Sequence, residues 1–220
     1  TYDTNTSNEV KYFYVNQSGL LVKEGFYEPA SLYKTTSMDA DGNAVSEYKD
    51  VFGNLIMKCS GDDAFTAFVY NDLNQLCFVL PPLAYDALSL NSTYIESTEI
   101  LQKYAYHYKY DKHGNQTYKR LPGSAPIYMG FDKTNRMVLS QDGNQRTKNH
   151  WTLYKYDALG RLLYTSKGVF FHSYVHCRDG LKNFVITESF SNNTPTHQAL
   201  NTGYTNNHFH LHSKQLYSVN

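Results

Sequence analysis

Six short stretches of this chain share one turn signature, and that recurrence limits the fold more than any other feature of the sequence. Aligned on an acidic or amide residue, they read "DADGNA" from Asp39, "DVFGNL" from Asp50, "NDLNQL" from Asn71, "DKHGNQ" from Asp111, "DKTNRM" from Asp132 and "DALGRL" from Asp157. The steps are 11, 21, 40, 21 and 25 residues, one unit of 21 with a half step and a stretched double step. Repetition at a fixed period of this size marks a stacked array of supersecondary units.

The columns of the self-alignment have physical causes. Asp or Asn in first place accepts a hydrogen bond from the backbone two residues on and so starts a turn. Three residues later stand Gly42, Gly53, Asn74, Gly114, Asn135 and Gly160. Gly and Asn enter the left-handed region at least cost, so this position predicts positive φ, as in a type I turn closed by a G1 bulge. Next comes a polar residue, Asn43, Asn54, Gln75, Asn115, Arg136 or Arg161, and then in five of the six an apolar one. That is strand alternation resuming after a hairpin.

"YAYHYKY" places Tyr104, Tyr106, Tyr108 and Tyr110 on one strand face, a core or a stacking platform. With Trp151, Tyr154 and Tyr156 they are the candidate ligand-stacking aromatics.

These units, an aromatic, Asp, two variable residues, Gly, then Arg or Asn and Leu, resemble the RHS/YD repeat, as found in surface or secreted proteins of the Bacteroidetes type. The resemblance is tightest over residues 104–162, takes in "FVYNDLNQLCFVLPP" at 68–82, and extends to "GYTNNHFHLHSKQLYSV" at 203–219. Residues 1–37 match nothing in it. Met38 and Lys49 stand where the family has an aromatic, and Asn74 and Asn135 where it has Gly. The aspartate-rich self-cleavage motif of toxin-releasing members is absent, so self-cleavage is not carried over.

The expected fold is all-β and mainly antiparallel, with successive hairpins wound into a curved sheet or partial β-solenoid, each burying its neighbour's apolar side. It is read as one domain over 1–220: unmatched strands at 1–37, repeat units at 38–80 and 104–165, an insertion at 81–103, then further strands over 166–220 with a polar loop at 191–207. Pro81 and Pro82 end a strand, and "STEILQKY", with Ser97 or Thr98 as N-cap, predicts a short helical insertion over about 83–103. The wealth of Tyr and Phe, 21 and 12 residues, favours strands.

Function classes narrow by exclusion. Lys plus Arg and Asp plus Glu are 20 each, with no basic stripe, so a nucleic-acid partner is not expected. No apolar run is long enough to span a membrane. The opening "TYDTNTSNEV" lacks a charged head and apolar middle, and the resemblance places an export signal upstream. Cys59, Cys77 and Cys177 are widely spaced and read as buried thiols, with one disulfide as the alternative.

"HFHLH" sets His208, His210 and His212 on one strand face, a donor set suited to Zn or Ni, although alternate residues lie roughly 6.5–7 Å apart and a solvated face explains them as well. Cys177 follows His176, but neighbours on a strand point to opposite faces. The repeated aspartates are explained as turn initiators before they are needed as paired acids, and no nucleophile elbow, phosphate loop or zincin helix is present.

The resemblance implies a non-catalytic scaffold or shell wall in a large extracellular or envelope-associated protein, without a cofactor. Its partners are then neighbouring repeats of a longer chain, a C-terminal cargo or a glycan; carbohydrate binding through exposed aromatics is the alternative function. The strand-forming ends, "VKYFYV" at 10–15 and "KQLYSV" at 214–219, predict self-association through uncapped edges.

Overall fold

The computed structural model describes residues 1–61, 63–89, 91–169, 174–181, 185 and 187. The fold is mostly antiparallel β-sheet with short helices, open rather than closed into a barrel. The chain divides into two compact units, Thr1–Lys109 with Lys119–Ser124, and Tyr110–Tyr118 with the described residues from Ala125 onward.

The first unit contains β1 (Tyr2–Thr4), β2 (Lys11–Val15), β3 (Leu21–Phe26), β4 (Tyr33–Met38), β5 (Ala44–Lys49), β6 (Leu55–Ser60), β7 (Ala64–Tyr70), β8 (Leu76–Leu80), α1 (Pro82–Ala87), β9 (Ser92–Tyr94), α2 (Glu99–Tyr104) and β10 (Tyr106–Tyr110). Its main sheet runs β1-β4-β5-β6-β7-β8-β10, and β2-β3-β9 form a second, smaller one. Register explains the core. Tyr48 lies opposite Met57, Met57 opposite Ala67, and Ala67 opposite Leu80, so one buried row crosses four strands. Period-two alternation keeps all four side chains on one face.

That face is covered by α1 and by the segment without repeats. Phe13 of β2 and Phe65 of β7 bring their rings to 5.8 and 5.4 Å from Tyr85 of α1. Lys11 and Lys23 donate to the Tyr85 and Leu88 carbonyls at 3.1 and 2.7 Å. Cations at helix C-terminal carbonyls are favourable, which accounts for a lysine as buried as Lys23. The unmatched first 37 residues thus supply strands to both sheets, and β2 is an edge strand of the smaller one.

The second unit orders β11 (Gln116–Arg120), whose last two residues, Lys119 and Arg120, belong to the first unit, then β12 (Ile127–Phe131), β13 (Met137–Gln141), β14 (His150–Tyr156) and β15 (Leu162–Val169), with α3 (Gly143–Thr147) between β13 and β14 and α4 (Tyr174–Leu181) after β15. Val138, Leu139, Trp151 and Leu153 form its core with Cys177 and Leu181 of α4. Gly130 lets α4 approach: a Cβ there would meet Leu181 Cδ1 at 3.1 Å.

The expected helical insertion holds two short helices, α1 and α2, and its middle forms β9, which pairs with β3. Between β13 and β14, Asp142 accepts from the Gln145 amide and Gln145 returns the bond, a capping box that starts α3. The region after 166 is not all strand, because Tyr174, Cys177 and Leu181 recur at helical spacing and build α4. The polar loop at 191–207 and the C-terminal strand lie outside the described residues.

Candidate functional site

The six turns share one hydrogen-bond pattern. In each, the amide of the first residue donates to the carbonyl four residues on, and the amide three residues on donates back to the first carbonyl, all between 2.9 and 3.2 Å. The first side chain's Oδ1 accepts from the amides two and four residues on, between 2.8 and 3.1 Å. Residues 42, 53, 74, 114, 135 and 160 have φ between +61° and +85°.

The second carboxylate oxygen selects the residue at the fifth position. Asp39, Asp50 and Asp111 accept there from the carboxamides of Asn43, Asn54 and Asn115, at 2.8, 2.8 and 3.0 Å. Asp132 and Asp157 accept from the guanidiniums of Arg136 and Arg161, each with a contact of 2.6 Å. Asn71 has no second acceptor, and its Nδ2 instead donates to Gln75 Oε1 at 2.8 Å. The chain therefore pairs Asp with a donor and Asn with an acceptor. Both columns are visible in the sequence, but their complementarity was not read there.

The period follows from strand count. One strand carries the chain from one sheet edge to the other, so Asp39, 11 residues before Asp50, turns at the opposite edge. Two strands bring it back, so the turns of Asp50 and Asn71 share an edge, as do those of Asp111, Asp132 and Asp157.

Along these edges the turns are bonded to one another. Asn54 Nδ2 donates to Asn74 Oδ1 at 2.6 Å, Asn115 Nδ2 to Asn135 Oδ1 at 2.9 Å, and Arg136 Nη1 to the Asp157 carbonyl at 3.4 Å. The aromatic before the turn adds a second link. The Tyr70 hydroxyl donates to the Leu55 carbonyl at 3.2 Å and the Tyr156 hydroxyl to the Met137 carbonyl at 2.8 Å, in each case the first strand residue after the preceding turn on that edge. The Arg136 guanidinium lies 5.1 Å from the Tyr156 ring centroid.

These carboxylates are committed as acceptors. Burial pushes the Asp132 carboxyl up, yet Arg136, Thr134 and two backbone amides outweigh it and hold it below the usual carboxylate range. The Arg161 amide lowers Asp157, and the Asn43 carboxamide lowers Asp39. An acid kept ionised by bonds within its own turn is a poor proton donor.

The aromatic candidates do not form one platform. Tyr104 ends α2 rather than joining β10. Tyr106, Tyr108 and Tyr110 are half-buried, while His107 faces the core and stacks on Phe78 at 4.1 Å. Trp151 is 1% exposed and belongs to the second unit's core, on the face of β14 opposite Tyr154 and Tyr156. Tyr154 shares a hydrogen bond with Ser140 at 3.1 Å.

His208, His210 and His212 lie outside the described residues. Among the described residues no three His, Cys, Asp or Glu side chains are grouped as a metal would need. Cys59, Cys77 and Cys177 are buried and unbridged, and burial pushes the thiols of Cys77 and Cys177 up to about 11. Cys177 sits on a helix, not on the strand expected for it. No helix among the described residues is long and apolar enough to cross a membrane.

No family model and no curated protein matches the chain. Among solved structures it is similar to a chain of the Photorhabdus luminescens Tc holotoxin pore carrying TccC3-D651A, at 14% identity and a TM-score of 0.46, over 74% of this chain and 8% of that one. It is also similar to a chain of the TcdB2-TccC3-Cdc42 crystal structure, at 12% identity and a TM-score of 0.41, over 78% of this chain and 12% of that one. The chain thus spans a small fraction of the length of either.

Proposed function

We propose that the chain is a non-catalytic repeat segment of the RHS type, a wall or scaffold element of a larger extracellular or envelope-associated protein. The observation that carries this reading is the bonding of turn to turn along the sheet edge. Side chains that an enzyme would leave available for proton transfer are spent on closing turns and joining neighbouring hairpins. Its partners are then further repeats of the same chain and a C-terminal cargo that the wall encloses.

Limited proteolysis of the protein at its native length tests the proposal. A wall element survives together with the sequence it encloses, and that protection falls when Asn54 and Asn115 are both replaced by Ala. Rapid digestion of the following sequence while the repeats stay intact would contradict it.

Carbohydrate binding is the second reading, favoured by Tyr12 and Tyr14 of β2. Their rings are 5.5 Å apart and 25° from parallel, and the Tyr14 hydroxyl donates to Glu24 at 3.2 Å, which sets a carboxylate beside an aromatic pair. A glycan-array signal lost in Tyr14→Ala would move the conclusion to this reading.

A further inference from the structure

His107 of β10 is 2% exposed, and its ring stacks on Phe78 of β8 at 4.1 Å and 13° from parallel. Three charged groups act on it: Lys109 on the same strand, Arg120 of β11, which is 4% exposed, and Glu96 ahead of α2. On β8 the nearest titratable side chain in sequence is that of Cys77, which alternation turns away from the stack.

The same place fastens the second half of the insertion. Arg120 Nη1 donates to the Glu96 carbonyl at 3.0 Å, and Lys109 forms an ion pair with the Glu96 carboxylate. The Gly123 amide donates to the Gln102 carbonyl at 2.8 Å. Residues 96–104, which include α2 and its buried Leu101, are thus held against the strands that enclose the imidazole.

We infer that residues 96–104 are an acid-released clasp: protonation of His107 places an imidazolium beside the buried Arg120 guanidinium, and the segment fastened there opens. The inference is independent of the scaffold reading. A buried imidazolium within the field of two other cations is costly. Burial, with Lys109 and Arg120 adding to it and Glu96 opposing, holds the imidazole neutral down to about 3. Opening returns it to its ordinary 6.5, so the closed form keeps its full advantage above pH 6.5 and loses it progressively as the pH falls towards 3. Between about pH 7 and about pH 5 the opening constant rises by about 25-fold.

Amide hydrogen exchange, corrected for the intrinsic pH dependence, reads this directly. The amides of Gln102 and Ala105, bonded to the Thr98 and Leu101 carbonyls, are expected to exchange about 25-fold faster at the lower pH while those pairing β14 with β15 do not. His107→Phe, which preserves the stack on Phe78, should abolish the acid response. Equal acceleration in that variant, or none in the wild type, would overturn the inference. If His107→Phe does not fold, imidazole proton resonances of the wild type decide: His107 must stay neutral well below pH 6.5, and titration near its ordinary value overturns the clasp.

Discussion

The carboxamide of Asn54 donates to the carboxamide oxygen of Asn74, 20 residues on in sequence, across 2.6 Å, joining two successive turns of one sheet edge. Asn74 is therefore more than a tolerated replacement for Gly. At φ +62° it fills the left-handed position and also offers an acceptor that Gly lacks. Asn74→Gly should lose only the lateral bond, about 0.5–1 kcal/mol. Asn74→Ala should lose the bond and add about 1 kcal/mol of backbone strain. Urea denaturation should rank wild type above Gly above Ala; Gly equal to Ala would refute the dual role.

Gly160, at φ +79° with open space where a Cβ would stand, isolates the conformational cost from any clash. Gly160→Val should destabilise by about 1–3 kcal/mol. Gly160→Asn should cost less, because Asn occupies the same place at 74 and 135. Equal melting temperatures for the two variants would contradict the turn assignment.

Asp132 and Asp157 occupy equivalent turns in different surroundings. The Asp132 side chain is fully buried against an Arg136 that is 16% exposed, whereas Arg161 beside Asp157 is 70% exposed. Asp132→Asn leaves a mostly buried guanidinium without its counter-ion and should cost about 2–4 kcal/mol. Asp157→Asn should cost clearly less, because solvent screens Arg161. Chemical denaturation of the two variants checks the order, and the reverse ranking would refute it.

Glu9 accepts from Lys34 at 2.7 Å, the Tyr48 hydroxyl at 2.6 Å and the Thr6 amide at 2.6 Å. Burial pushes its carboxyl up, but these bonds outweigh it and bring it down to about 2. A carboxylate depressed by folding contributes stability that is present above its ordinary 4.5 and is lost as the pH falls from there towards 2. Glu9→Gln should therefore flatten the stability profile between pH 4.5 and 2; an unchanged slope would show that the network does not stabilise the fold.

The hairpins were legible because each turn is local. Asp50, Gly53 and Asn54 carry their chemistry within five residues, and the Asx residue with a positive-φ position states it openly. Lateral bonds were not legible, since the partner of Asn54 is set by sheet pairing rather than by sequence distance. Trp151 looked like a binding aromatic because β14 alternates Trp, Leu and Lys on one face with His, Thr and Tyr on the other, and tertiary packing decides which face is covered. The short helices α3 and α4 did leave signals, in Asp142 with Gln145 and in the spacing of Tyr174, Cys177 and Leu181.

The central claim is that neighbouring turns are energetically coupled along the sheet edge, and a double-mutant cycle on Asn115 and Asn135 tests it most directly. Asn115 Nδ2 and Asn135 Oδ1 are 2.9 Å apart, and each also belongs to its own turn, so the single variants Asn115→Ala and Asn135→Gly carry costs that the cycle removes. Equilibrium unfolding of the four proteins should give a coupling of about 0.5–1 kcal/mol. Strict additivity of the two substitutions would show that the turns stand side by side without holding one another, and would contradict the account.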